Sequence, residues 1–321
     1  MTQGYNKFES MKAERLKDKF LNQIPTLMSP EGTSMWSAFA KMIKGAPGRK
    51  PDGAIETLEF REYGDSDYFV WLGHSSVFLQ VDGVRIFVDP VFSRSTSPIP
   101  FLGPQAFEYT NGYKPDQFPE LDIVLITHDH YDHLDKLAIK AFKNRTKQFI
   151  VPMRVGRILE KWGVSGKKIV EMDWSDNFQF ADKLKITAQT GRHFSGRGLT
   201  NRNSTLWCSY VIESKNAKIF CCGDSGYGPH FKQIGEAHGP FDMAFMECGQ
   251  YNENWPFIHM VPEQTVQAAM DIGAKTFVPI HWGKFTLSLH PWDEPPQRAQ
   301  KEALALGQPI TLPQIGATIT L

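Results

Sequence analysis

No run in this chain approaches the roughly 18–20 consecutive apolar residues that a membrane-spanning helix needs. The opening residues, MTQGYNKFESMKAERLKDKF, hold no apolar stretch ahead of a small-residue cleavage site, so no export leader is expected. Cysteine is scarce: Cys208, Cys221, Cys222 and Cys248 are the four among 321 residues, and none has C-x-x-C spacing. Three sit in strand-like runs (LWCSYVI, KIFCCGD) and the fourth closes another (AFMECGQ). Buried free thiols of a reducing compartment are therefore expected in place of disulfides, and with them a cytoplasmic location. Net charge is also missing, with 35 Lys and Arg against 35 Asp and Glu. No basic stripe with interleaved aromatics occurs, which excludes a dedicated nucleic-acid binder. The G-x-S-x-G elbow of serine hydrolases is absent too, so Ser75 and Ser76 in GHSSVF read as structural.

A chain of this length can bury a sizeable core. Residues 1–54 stand apart as an N-terminal arm. Its first fifty residues carry nine Lys and Arg against four Asp and Glu. FESMKAERLKDKFLNQI has helical spacing, and a second short helix is expected to start at Ser34. With Trp36, Phe39, Met42 and Ile43, this basic arm either packs on the main domain or rests on the inner membrane face. From residue 55 to 321 short apolar strands alternate with turns in two series, and helices are expected near 134–144, 154–162, 229–238, 263–272 and 295–306. Asp82-Gly83 between two apolar runs is a hairpin signal. No linker divides this part, so 55–321 reads as one α/β domain of two sheets with helices outside.

What the chain has in abundance is histidine at one point. THDHYDHLD places three histidines and three aspartates in nine residues, directly after the buried-type strand LDIVLI. On an extended chain His128, His130 and Asp132 face one way, and His133 joins from the helix that follows. Imidazoles and a carboxylate without thiolate suit zinc, manganese or iron. Further polar residues stand where other apolar strands stop: His193 in TGRHFSG, Asp224 in CCGDSGYG and His281 in PIHWGKF.

A strand-end His-x-His-x-Asp-His followed by His, Asp and His resembles the metallo-β-lactamase-fold hydrolases. WLGHSSVFLQVDG, DPVFS, ITHDHYDHLD, GDSGYGPHFKQIG, GPFDMAFM, HMVPEQ and IHWGKF bring the resemblance closer to the N-acyl-phosphatidylethanolamine phospholipase D branch. The resemblance implies an αβ/βα sandwich of two mixed sheets with helices on the outer faces. It implies two divalent ions, zinc first and manganese or iron as alternatives. His128, His130 and His193 would hold one ion, Asp132, His133 and His281 the other, and Asp224 both. Two ions that share a water lower its pKa from about 15.7 towards 7 and neutralise charge that grows in the transition state.

Asp89, in IFVDPVFS, is expected to orient a ligating histidine from outside the ligand set. His74 and His259 are expected, with Asp132, to serve catalysis by polarising a phosphate or protonating a leaving group. Arg192, Arg197 and Arg202 surround His193 in GRHFSGRGLTNRN, and Arg197, with Arg192 next, is the expected phosphate contact. The aromatic loop 91–113 is expected to wall an apolar pocket. The leading expectation is a phosphodiesterase that cleaves a phospholipid-like, N-acyl-phosphatidylethanolamine-type substrate. The alternative is a cytoplasmic lactonase or hydrolase of a small phosphorylated metabolite, resembling the ascorbate phosphate lactonases. Partners are then a small-molecule or lipid substrate, a membrane surface at the arm, and a second copy in a homodimer, with no nucleic acid.

Overall fold

A computed structural model describes residues 11–27, 45–99, 103–198 and 200–321. Part of the arm departs from the expected helix. Strands β1 (Arg15–Leu16) and β2 (Lys19–Phe20) form a small antiparallel hairpin. The reason is Phe20, which is fully buried in the main core and pulls this segment onto the domain as an extended hairpin. The helix expected from Ser34, with Trp36, Phe39, Met42 and Ile43, lies outside the described residues.

The first sheet runs in sequence order through β3 (Tyr68–Trp71), β4 (Val77–Val81), β5 (Val84–Val88), β6 (Leu121–Leu125), β7 (Thr146–Pro152) and β8 (Ile169–Met172). The second does the same through β9 (Asn177–Phe180), β10 (Leu184–Gln189), β11 (Ser209–Ser214), β12 (Lys218–Cys221), β13 (Met243–Glu247) and β14 (Phe277–Ile280). The last strand, β15 (Thr318–Thr320), returns to pair with β3. Each sheet is mixed: β3 to β5 are antiparallel and β5 to β8 parallel, while β9 to β12 are antiparallel and β12 to β14 parallel. The β4–β5 turn is Asp82-Gly83 with φ of 50° and 70°, the pair of positive values that a two-residue hairpin of matching twist requires.

Alternation sets the layers. Phe69, Trp71, Ile123 and Leu125 of the first sheet meet Ile186, Tyr210, Ile219, Cys221 and Val278 of the second in the central core. Their neighbours one residue away face outward: Tyr68, Val70 and Val124 pack with α1 (Lys136–Phe142) and α2 (Gly156–Lys161). Val211, Phe220 and Ala244 pack with α3 (His230–His238), α4 (Pro262–Asp271) and α5 (Glu294–Leu306). Both faces of both sheets are covered, which is why the strands read as nearly continuous apolar runs. The four cysteines are buried and unpaired. Among the described residues no helix is long and apolar enough to cross a membrane.

Candidate metal centre

Strand direction explains where the chemistry gathers. β3, β5 and β6 run the same way, as do β10, β12, β13 and β14, so their carboxyl ends collect on one edge of each sheet. Those ends deliver His74, Asp89, His128, His193, Asp224, Glu247 and His281. Such crevices outside carboxyl strand ends are the usual place for sites in sheets of this kind. The backbone there is held in uncommon conformations: His74, Asp89, Gln250 and His281 have φ of 52°, 41°, 60° and 73°. Gly223, just before Asp224, has φ of 63°, and a Cβ there would lie 2.9 Å from Thr127 Cβ. That close approach brings Asp224 against the histidine turn.

Three groups of potential ligand atoms result among the described residues. His128, His130, His193 and Asp224 form the first, His74, Asp132, His133 and His281 the second, and Asp224, His259 and His281 a third that overlaps both. In the first, His130 Nδ1 lies 2.9 Å from His128 Nε2 and 3.3 Å from His193 Nε2. Asp224 Oδ2 lies 3.7 Å from His128 Nε2 and 3.6 Å from His193 Nε2. In the second, Asp132 Oδ2 is 3.6 Å from His133 Nε2 and 3.4 Å from His281 Nε2. Asp224 reaches this group as well, its Oδ1 3.2 Å from His133 Nε2 and its Oδ2 3.3 Å from His281 Nε2. The expected alternation ends sooner than extended chain would allow. Residues 130–133 turn, with His133 N donating to His130 O at 3.2 Å, so Asp132 leaves the side of His128 and His130 and joins His133. His133 precedes the helix, which starts only at Lys136 behind the Asp135 cap.

The outward ring nitrogens are tied down. His133 Nδ1 pairs with Asp89 Oδ2 at 2.8 Å, and His193 Nδ1 donates to Ile258 O at 2.9 Å. Asp89 in turn accepts from Thr127 N and Oγ1 at 2.8 and 2.6 Å. Anchoring one nitrogen fixes the tautomer and aims the other inward. Burial holds His128, His130 and His193 below the ordinary imidazole value, so they are neutral donors. Burial pulls most strongly on His133 and His281, but Asp224 and Asp132, with Asp89 beside His133 and Glu247 beside His281, together outweigh it, raising His133 and lifting His281 to about 10. His133 Nε2 and Asp224 Oδ1 are buried and face each other without a hydrogen bond. Imidazoles, two carboxylates and orphaned atoms converging on common points fit divalent-cation binding.

Over this cluster opens a cavity of about 360 Å³ that exposes His130, Asp132, His193, Asp224, His259 and His281. Its apolar wall is Phe194, Trp255, Ile258 and Leu287, and Arg202 is the guanidinium that lines it. The other expected contacts are placed differently. Arg197 spends its guanidinium on the carbonyls of Asp129 and Leu134, at 2.7 and 2.8 Å, and lies over the Tyr131 ring. Arg192 donates to Tyr227 O at 3.0 Å and to Thr26 Oγ1 at 3.2 Å, fastening the arm. Neither guanidinium is among the groups that line this cavity, whereas Arg202 is. His74 is fully buried behind the ligands, its Nε2 2.9 Å from Asp132 Oδ2, so it orients Asp132 and cannot touch a leaving group. Burial, aided by His281, pushes it down to about 3. The described part of the 91–113 loop does not line this cavity; it borders a separate cleft.

Two residues escaped the sequence reading. Glu247, fully buried, accepts from His259 Nδ1 at 2.9 Å and from Met260 N at 3.0 Å. Its sign was available, a charged residue ending the apolar run MAFME. Asn22 left no sign: from the arm it donates to His193 O at 2.7 Å and accepts from His193 N at 3.1 Å. Asn22→Ala is expected to weaken metal binding about tenfold, as loss of a ligand-orienting partner does. Competition with a chromogenic chelator measures it, and Asn22→Asp, which keeps only the acceptor, should fall between.

Comparison with known proteins settles the family. The beta-lactamase superfamily domain matches residues 84–282. This chain belongs to that superfamily. An uncharacterized protein of Mycobacterium tuberculosis is 42% identical over 248 residues, which are 75% of this chain and 66% of that protein. N-acyl-phosphatidylethanolamine-hydrolyzing phospholipase D 1 of Caenorhabditis elegans is 30% identical over 249 residues, 74% of this chain and 69% of that one. Among solved structures, Igni18, a metallo hydrolase of the archaeon Ignicoccus hospitalis, aligns with a TM-score of 0.61 at 21% identity, covering 80% of this chain and 98% of that chain. The two mixed sheets with helices outside are thus the metallo-β-lactamase fold, and the beta-lactamase superfamily member described here carries its His/Asp clusters beside its strand ends.

Proposed function

We propose that the protein is a binuclear metal-dependent hydrolase that cleaves a phospholipid-like phosphodiester of the N-acyl-phosphatidylethanolamine type. The observation that carries this reading is the cavity: metal-ligand residues form its floor, Phe194, Trp255, Ile258 and Leu287 its wall, and Arg202 its cation. Apolar rings and branched chains suit a hydrocarbon beside the scissile group, and a guanidinium suits its phosphate. The 30% identical C. elegans phospholipase supports the same substrate class.

His128, His130 and His193 would hold one ion, Asp132, His133 and His281 the second, and Asp224 both. When bound, the ions supply Lewis acidity and an activated water, with zinc the first choice and manganese or iron the alternatives. The chain's own groups do the rest. Asp89 and His74 keep His133 and Asp132 oriented from outside. Arg202 orients the phosphate. His259, held by Glu247 through Nδ1, keeps Nε2 for a proton to the departing oxygen.

Mass spectrometry of products from the zinc- or manganese-loaded protein tests the reading. The panel mixes N-acyl-phosphatidylethanolamine, ordinary phospholipids, phosphorylated sugar lactones and cyclic nucleotides. Release of an N-acylethanolamine with phosphatidic acid is expected. Turnover of a lactone or nucleotide alone would transfer the function to a small phosphorylated metabolite. Arg202→Ala is expected to raise KM for the phosphodiester about tenfold with a smaller change in kcat, because an exposed charge-assisted contact adds mainly ground-state binding. An unchanged KM would remove Arg202 from the substrate.

A further inference from the structure

A second cleft, of about 300 Å³, shares no lining residue with the metal cavity. At its base is Lys284, only 8% exposed. The Lys284 ammonium donates to Val91 O at 2.5 Å, and among the described residues no carboxylate lies within ion-pair distance of it. Asp135, which acts on it from farther away, already accepts from Phe92 N, Ser93 N, Ser93 Oγ and Leu137 N. An ammonium carries three donors, and burying it without a countercharge is costly. Burial accordingly pulls Lys284 down to about 8.

The surroundings answer that deficit. Exposed Arg94 and Lys114 stand at the rim, while Glu108, the acidic residue of the lining, is engaged with Arg94. The walls are the rings of Phe92, Phe107, Tyr109 and Tyr113. Both tyrosine hydroxyls are already used, Tyr109 on Gly283 O at 2.8 Å and Tyr113 on Leu58 O at 2.6 Å, so they offer the cleft their rings. We propose that this cleft is a second binding site, which takes a phosphate-type oxyanion bearing an apolar substituent, with the oxyanion on Lys284 and the substituent among the rings. Its occupant bears on the metal centre's own scaffold. Phe107 N donates to Lys284 O at 2.8 Å, and His74 N donates to Trp282 O at 2.7 Å on the segment that follows His281.

A free phosphomonoester and a phosphate-bearing lipid headgroup share this chemistry, and the test separates them. Zinc-loaded protein freed of excess metal is titrated calorimetrically with hexyl phosphate, beside Lys284→Met and the double variant Arg94→Ala/Lys114→Ala. Wild type is expected to show a binding event, beyond any at the metal cavity, that Lys284→Met weakens about tenfold or more and the rim variant several-fold. The rim variant, altered only at exposed side chains, keeps the test valid if Lys284→Met does not fold. Co-sedimentation with phosphatidylcholine vesicles, with and without phosphatidic acid, gives the source. Lys284-dependent retention on the acidic vesicles supports a headgroup, and hexyl phosphate binding without retention supports a free phosphomonoester. Identical isotherms for wild type and both variants would overturn the site.

Discussion

Asp224→Ala is expected to strip the protein of both proposed metals together and to reduce turnover by about a thousandfold or more, while circular dichroism shows the sheets intact. The expectation rests on one carboxylate serving two clusters. Asp224 Oδ2 lies within 3.7 Å of His128, His193 and His281, and its Oδ1 faces His133 at 3.2 Å. The first group would keep three histidines and no carboxylate, while the second would keep Asp132 but lose the second carboxylate that reaches it. Among the protein groups themselves, Asp224 is the foremost of the carboxylates that together overcome burial and keep His133 and His281 raised. His130→Ala is the contrasting case. It touches one cluster, so it should empty that side first and abolish activity with most of the fold retained. Metal counted by plasma emission spectroscopy on both variants decides the matter. Two metals retained in Asp224→Ala would end the bridging assignment, and activity in a metal-free His130→Ala protein would end the mechanism.

The strands and the ligand set were legible in the sequence for the same reason. Buried strands such as LDIVLI are apolar but for Asp122 because both faces of each sheet are covered, and polar residues at their ends stand out sharply. Strands β8 and β9 carry weaker patterns because most of their residues are half-buried or exposed and mix polar with apolar groups, as in IVEM and NFQF. The β1–β2 hairpin was read as helix because local spacing ruled the reading, while a tertiary contact, the burial of Phe20, rules the structure. The arginines show the limit for site residues. Arg192, Arg197 and Arg202 lie within eleven residues and are chemically identical, and only the path of the chain decides which guanidinium meets carbonyls and which meets a cavity. Asn22 and His193 are 171 positions apart, a pairing that no local pattern encodes.

The second large effect falls on leaving-group protonation. His259→Ala is expected to lower kcat by about 10²–10⁴ on a substrate with an alkoxide leaving group, the usual contribution of a positioned general acid. On a p-nitrophenyl phosphodiester, whose leaving group departs without a proton, the loss should shrink to a few-fold. The geometry behind this is a dyad: Glu247 is fully buried and fixes His259 Nδ1 at 2.9 Å, while His259 itself lines the cavity. Glu247→Gln should therefore reproduce the same leaving-group pattern at reduced size, because an amide can still accept from Nδ1 but no longer stabilises a charged ring. A competing role exists for His259, which stacks on His281 with centroids 5.2 Å apart and also groups with Asp224 and His281. Metal content separates the two. A proton donor leaves both metals in place when replaced by Ala, and kcat falls according to the leaving group. A ligand would take a metal with it and slow both substrates alike.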